Sequence, residues 1–240
     1  MKFNMMFEII FDKENKKYLK NINFLPENKI KNFEKINAIY SFLKRSYDSK
    51  YLSKFKNLKY FLTASTGSDH IDTNFLKKKK IKLIKLNTKS LEVKKITSTG
   101  EFVLTIILSA IRKLHQYVNI TKKGVIKRDQ FKIYQFKNYT IGLVGFGRIS
   151  KYVYKFLKLM KFKVIVFDKN KSKYKKNLSK ILKNADLISI NIPLNQNKNF
   201  FNANILNKCK KSVILVNTSR TLIFNQNDLI NFLSKNKNAE

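Results

Sequence analysis

The stretch YTIGLVGFGRISKYVYKFLKLMKFKVIVFDKN, Tyr139 to Asn170, limits what this chain can fold into more than any other. An apolar run turns through Gly145 and Gly147 into Ile149, Val153, Phe156, Leu157 and Met160, which recur at helical spacing. A second apolar run, KVIVF, delivers Asp168. Near-continuous apolar strands joined through a helix belong to a parallel sheet covered on both faces. Within such a unit Gly145 permits a tight turn. Gly147 lets an anion approach the backbone, where helix N–H groups and the helix dipole favour negative charge. Ser150 holds the third position, where a small residue lets helix and strand pack closely. Asp168, about 20 residues beyond the glycines, is placed to accept hydrogen bonds from an adenosine ribose, and its charge disfavours a 2′-phosphate. The pattern predicts NAD binding through Gly145, Gly147 and Asp168, in preference to NADP. On these residues alone two other readings stay open: a turn whose glycines serve packing only, and S-adenosylmethionine binding with Asp168 on that ligand's ribose.

Two more strand runs, DLISINIP and SVILVN, follow, with the short helical stretch NANILNKCKK between them. Upstream, FEIIF, NAIYSFL, SKYLSKFKNL, KYFLTAS and IKLIKL alternate strand-like and helix-like patterns, which again indicates α/β structure. From Thr97 to Val118 the apolar residues Phe102, Val103, Ile106, Ile107, Ala110, Ile111 and Leu114 keep helical spacing behind TSTGE, whose hydroxyls and carboxylate suit a helix start. One long, half-buried helix is expected there, and QYVNITKKGVIKRDQF reads as a connection. The run Lys77 to Lys80 reads as a solvated helix end. The predicted organisation is a smaller N-terminal α/β domain over 1–95, then a helix and a Rossmann-type, doubly wound parallel sheet domain over 96–240.

A net charge of +36 and a pI near 10.2 would ordinarily point to nucleic acid or an anionic membrane. The excess is lysine, however, with Arg45, Arg112, Arg128, Arg148 and Arg220 the only arginines, and base readout favours the planar guanidinium. Abundant Lys, Asn, Ile, Phe and Tyr with 6 Gly, 2 Pro and no Trp match A/T-rich codons, which account for the charge without a specific nucleic-acid partner. Attraction to anionic substrates or incidental nucleic acid stays open. Cys209, the single cysteine, excludes an internal disulfide and fits a reducing compartment. Its lysine neighbours would lower its pKa if it were exposed, but a structural thiol is the expectation. The N-terminus lacks a cleavage signal, and FVLTIILSAI is half the roughly 20 residues that span a bilayer. A cytoplasmic protein with no membrane partner is expected.

Five segments, NLKYFLTASTGSDHIDTNFLKKKKIKLIKL, TSTGEFVLTIILSAIRKL, GLVGFGRIS, ADLISINIPL and ILVNTSR, follow one another in an order that resembles the D-isomer-specific 2-hydroxyacid dehydrogenases, which include phosphoglycerate, glyoxylate and hydroxypyruvate reductases. The resemblance covers most of the chain. It implies a flavodoxin-like N-terminal substrate domain and an NAD-binding domain joined by an interdomain helix, acting on a small 2-hydroxy or 2-keto acid. It places the backbone of Ser65, Thr66 and Gly67 against the substrate carboxylate and makes Arg220 catalytic. A guanidinium fork suits the two adjacent oxygens of a 2-keto acid, and polarising its carbonyl prepares the carbon for hydride. It further puts Arg148 and Ile149 on the cofactor phosphates, Ile192 and Pro193 beside the adenosine or nicotinamide half, and Thr218 and Ser219 near the nicotinamide. Asn191 stands where the family often has histidine, and Val103 where it often has threonine.

Family members commonly dimerise through the nucleotide domain and its helix, which makes Phe102 to Leu114 a candidate homodimer interface. The family's proton donor is a histidine held by a glutamate, both after the arginine. Neither His70 nor His115, the only histidines, matches it, and Glu240 falls too early for the glutamate. The expectation is therefore a chain truncated before this pair, with 1–95 lacking its return segment. The alternative to an active dehydrogenase is a catalytically silent or truncated NAD-binding protein of the same fold. A nucleic-acid module is a third reading, resting on charge alone. Asp69 and Asp72 are expected to cap the following helix rather than hold a metal, and no metal is implied.

Overall fold

The computed structural model describes residues 3–8, 21–124 and 131–240, which divide into two compact units, 1–94 and 95–240. Parts of the FEIIF run and of the expected connection QYVNITKKGVIKRDQF lie outside the described residues, and Gln116 to Lys122 of that connection are helical instead. Both units are α/β with an all-parallel sheet.

The first unit holds β1 (Phe3–Phe7), β2 (Ile22–Pro26), β3 (Ala38–Ser41), β4 (Tyr60–Thr63) and β5 (Lys82–Lys85), in the order β2-β1-β3-β4-β5. This is the flavodoxin-like order, and it reverses direction beside β1. Helices α1 (Ser49–Leu52) and α2 (Thr73–Lys78) are started by side chains: Asp48 accepts from the Tyr51 N–H at 2.7 Å and Asp72 from the Phe75 N–H at 2.9 Å. Met6, Ile39, Tyr47, Leu52, Phe61 and Leu76 form the buried core. On β5 the side chains of Lys82 and Lys85 are exposed, charges that discourage further strand pairing at a sheet edge.

The second unit follows α3 (Leu91–Lys95) and begins with α4 (Ser98–Ile111) and α5 (Leu114–Lys122). The single long helix expected over this region is in fact broken, at Lys113, whose φ is +50°. The reason is burial. Val103, Ile107 and Ile111 face the core, whereas Leu114 is exposed and α5 has no buried residue, so a straight continuation would bury nothing more. Of the TSTGE hydroxyls expected to suit the helix start, that of Thr97 stands at the N-cap and its side chain makes no capping hydrogen bond.

The sheet of this unit, in the order β7-β6-β8-β9, comprises β6 (Thr140–Val144), β7 (Lys163–Phe167), β8 (Leu187–Ile190) and β9 (Ile214–Asn217). It is covered on both faces. Ile141, Leu143 and Leu187 pack with α4 and α6 (Arg148–Leu159), while Val144, Ile188 and Ile190 pack with α7 (Leu178–Asn184) and α9 (Gln226–Lys235). The stretch NANILNKCKK contributes only α8 (Ala203–Leu206), capped by Asn202. At the outer edge of β9 the Glu240 backbone accepts from the Leu215 N–H at 2.7 Å and donates to the Val213 carbonyl at 3.1 Å.

Candidate nucleotide and acid-binding sites

Both glycines of the β6–α6 turn have a physical requirement. Gly145 has φ +92°, and a Cβ there would lie 2.6 Å from the Asn191 carbonyl oxygen and 2.8 Å from Ile192 Cγ2. Even alanine is therefore excluded without backbone movement. Gly147 differs: a Cβ there would meet nothing within 4 Å, so the glycine leaves open space beside the start of α6. Gly147 is also the N-cap and offers no side chain, so the first N–H groups of a twelve-residue helix have no capping partner. Open space, free N–H donors and the positive end of the helix dipole suit a phosphate group.

Asp168 follows β7 and braces this turn. One carboxylate oxygen accepts from the Phe146 N–H at 2.8 Å and the other from the Asn170 N–H at 2.9 Å. A carboxylate has about four acceptor positions, so capacity remains for ribose hydroxyls. Among the described residues Asp168 forms no ion pair, although two lysines are close by. Lys171 donates to the Phe146 carbonyl at 2.5 Å and lies 4.8 Å over its ring, and Lys169 donates to Asn197 at 3.2 Å. Asn197 in turn donates to the Pro193 carbonyl at 2.7 Å.

A cavity of about 380 Å³ opens at the carboxyl ends of β6, β7 and β8, lined by Gly145, Gly147, Asp168, Asn191, Ile192 and Pro193 among others. The sheet reverses direction beside β6, and crevices at such points are where open α/β sheets receive ligands. The other expected cofactor contacts lie off this lining. The Arg148 guanidinium donates to the Ile96 carbonyl, and Ile149 packs into the core, so only their backbone N–H groups face the turn. Thr218 and Ser219 follow β9 and are tied back to β8: the Ser219 hydroxyl donates to the Ile190 carbonyl at 3.0 Å and Thr218 to Asn191 at 3.5 Å.

Arg220 is half-buried at the end of the same turn, its guanidinium donating to the Ser219 carbonyl at 3.0 Å. Asn217 shapes that turn. It accepts from the Ser219 N–H and donates to the Arg220 carbonyl, each at 3.0 Å. Asn217, Lys169 and Asn197 had no signal in the sequence beyond their neighbourhood.

In the first unit Ser65, Thr66 and Gly67 form a loop after β4, next to β3 in the sheet. The Ser65 hydroxyl donates to the Gly67 carbonyl at 2.6 Å and shares a hydrogen bond with buried Thr63 at 3.0 Å, and Thr63 lies 3.5 Å from His70 Nε2. Cys209 is buried, and burial pushes its thiol up to about 11, which makes it structural rather than reactive. Among the described residues no cluster of three metal-ligating side chains occurs, and no helix is long and apolar enough to cross a membrane.

Two family models match. Residues 104–240 fit "D-isomer specific 2-hydroxyacid dehydrogenase, NAD binding domain", and residues 7–92 fit the catalytic domain of the same family. An erythronate-4-phosphate dehydrogenase of Wigglesworthia glossinidia brevipalpis is 30% identical over 78% of this chain and 46% of its own length. A glycerate dehydrogenase of Methylorubrum extorquens is 27% identical over 70% of this chain and 54% of its own. The chain thus spans about half the length of these curated relatives. Among solved structures, the NAD-dependent formate dehydrogenase of Staphylococcus aureus in complex with NAD has a TM-score of 0.83 at 22% identity, covering 100% of this chain and 79% of that one. D-lactate dehydrogenase of Aquifex aeolicus, complexed with NAD and lactic acid, has a TM-score of 0.80 at 22% identity, covering 98% and 74%.

Proposed function

The chain belongs to the D-isomer specific 2-hydroxyacid dehydrogenase family, and from that premise we propose that it uses NAD to interconvert a small D-2-hydroxy acid and its 2-keto acid. The observation that carries the reading is the cavity at the β6, β7 and β8 ends. It combines an open glycine cradle, uncapped helix donors and a carboxylate. In this reading Gly145, Gly147 and the N–H groups of Arg148 and Ile149 hold the pyrophosphate, Asp168 holds the adenosine ribose, and Ile192 and Pro193 give the apolar wall. Thr218 and Ser219 stand toward the nicotinamide, whose chemistry when bound is hydride exchange.

The chain's own part in the reaction is binding and polarisation. The backbone of Ser65, Thr66 and Gly67 receives a carboxylate, and the Arg220 fork binds carboxylate and carbonyl oxygens, drawing charge from the carbon that is reduced. Exposed Phe102 and Leu114 on α4 and α5 favour a homodimer formed through these helices, which light scattering of the purified chain would measure. The single buried thiol suits a reducing compartment such as the cytoplasm.

Loss of NADH absorbance on adding glyoxylate, hydroxypyruvate or pyruvate tests the activity, and D-glycerate or 4-phosphoerythronate with NAD tests the reverse direction. A large fall in turnover in Arg220→Ala supports the reading. The second reading is a catalytically silent NAD-binding protein of the same fold. NADH binding by a folded chain without turnover on any of these acids would select it.

A further inference from the structure

The first unit contains a buried carboxylate that the proposed chemistry does not use. Glu8 is the residue after β1, at the carboxyl end of the sheet and beside its reversal point, and it is only 8% exposed. Among the described residues it pairs with no cation. A buried charge is tolerated only if dipoles satisfy it, and here they come from the loop after β3. One oxygen accepts from the Phe42 N–H at 2.5 Å and the Lys44 N–H at 3.5 Å, and the other from the Tyr47 hydroxyl at 2.5 Å. Between these donors Leu43 has φ +63°, a left-handed conformation that a leucine keeps only when its surroundings impose it.

Tyr47 carries the connection onward. Its ring is fully buried, edge-on to Phe61 at 4.9 Å, and burial followed by the hydrogen bond to Glu8 pushes its phenol far above the ordinary value, so it remains a donor. Its backbone then takes hold of the neighbouring loop: the Tyr47 N–H donates to the His70 carbonyl at 2.7 Å and the Tyr47 carbonyl accepts from the Asp72 N–H at 2.8 Å. The loop so gripped is the one that begins Ser65, Thr66, Gly67. Its near end is fixed internally by the Ser65 and Thr63 hydroxyls, and its far end by Tyr47. The other brace on the β3 loop is different in kind, an ion pair of Arg45 with Glu27 at 2.8 Å that is partly exposed and contributes little.

We propose that Glu8 is a positioning residue for substrate binding: through Tyr47 its buried carboxylate sets the geometry of the Ser65–His70 loop that receives the substrate carboxylate. The role rests on the acid-binding assignment of that loop under the proposed function. Glutamine at position 8 keeps the shape but turns an amide donor toward donors. Phenylalanine at position 47 keeps the ring and deletes only the hydroxyl.

The test is calorimetric titration of glyoxylate into the chain saturated with oxidised NAD, which has no hydride to reduce it, alongside NADH affinity and amide exchange at Tyr47 and Asp72. Both Glu8→Gln and Tyr47→Phe are expected to weaken glyoxylate at least tenfold and to speed exchange at both amides, with NADH affinity within twofold of wild type. The double variant should be no worse than the weaker-binding single one, because both break one connection. Glu27→Gln, which weakens the Arg45 pair and the hydrogen bond Glu27 accepts from the Tyr51 hydroxyl at 2.5 Å but leaves the Glu8–Tyr47 bond in place, should stay within twofold throughout. Wild-type glyoxylate affinity in Tyr47→Phe, which keeps the core intact if Glu8→Gln fails to fold, would overturn the role and leave the proposed function standing. A wild-type chain that binds NADH but no 2-keto acid would overturn the substrate reading and this role together.

Discussion

The two sheets place opposite residues at equivalent points. Each reverses direction beside the first strand of its unit. After β6 comes Gly145, and the absent side chain leaves an open cavity. After β1 comes Glu8, whose buried carboxylate is bound to the protein's own N–H and O–H groups. The crevice at a reversal point is thus a backbone opportunity. The next residue decides whether it receives a ligand or shapes a neighbouring loop.

Placing a side chain on the open crevice should have the largest effect. Gly145→Ala combines a left-handed backbone with a contact 2.6 Å from the Asn191 oxygen. The left-handed Cβ costs about 1–2 kcal/mol and overpacking about 1–3 more. Thermal unfolding should show a fall of many degrees, with NADH binding lost, whereas Gly147→Ala, which meets no atom, should unfold near the wild-type temperature. Next is Arg220→Ala, which should lower turnover roughly 10²–10³-fold, the effect of removing a charged transition-state donor. NADH affinity should be unchanged, and a parallel loss would place Arg220 in the nucleotide site instead.

Smaller again is Asp168→Asn, which keeps the shape but weakens the ribose acceptor and its brace on Phe146. NADH should bind about tenfold more weakly, as for a hydrogen bond to a charged group, and the preference for NADH over NADPH should narrow. The smallest effect is at Cys209. Its folded pKa of about 11 is raised from 9.0, so the stability it contributes is present below pH 9 and lost as pH rises through 11. Wild type should lose more stability than Cys209→Ala across that interval, measured by denaturant midpoint.

What the sequence disclosed follows from how local each feature is. Gly145, Gly147 and Asp168 were legible because strand, turn, helix and strand lie within one contiguous stretch and each residue type answers a steric or electrostatic need there. The capping role of Asp72 was legible for the same reason, its partner being three residues away. Arg220 is proposed by resemblance alone, since nothing local distinguishes a site arginine from a surface one. Strand β2 had no pattern of its own, as INFLP has no clean alternation and ends in proline. The break at Lys113 carried no glycine or proline. It reflects where burial stops, which is a tertiary fact. Glu8 and Tyr47 were invisible because their bond joins residues 39 apart, and hydrophobic patterning marks neither as a pair.

Nucleotide binding in the open crevice of the second unit is tested most directly by hydrogen exchange with and without NADH on the folded chain. Bound NADH should protect the amides of Gly145 to Lys151 and those of Asp168 to Lys171, leaving Phe42 to Tyr47 unchanged. A folded chain whose glycine turn exchanges at the same rate with and without NADH would contradict the account.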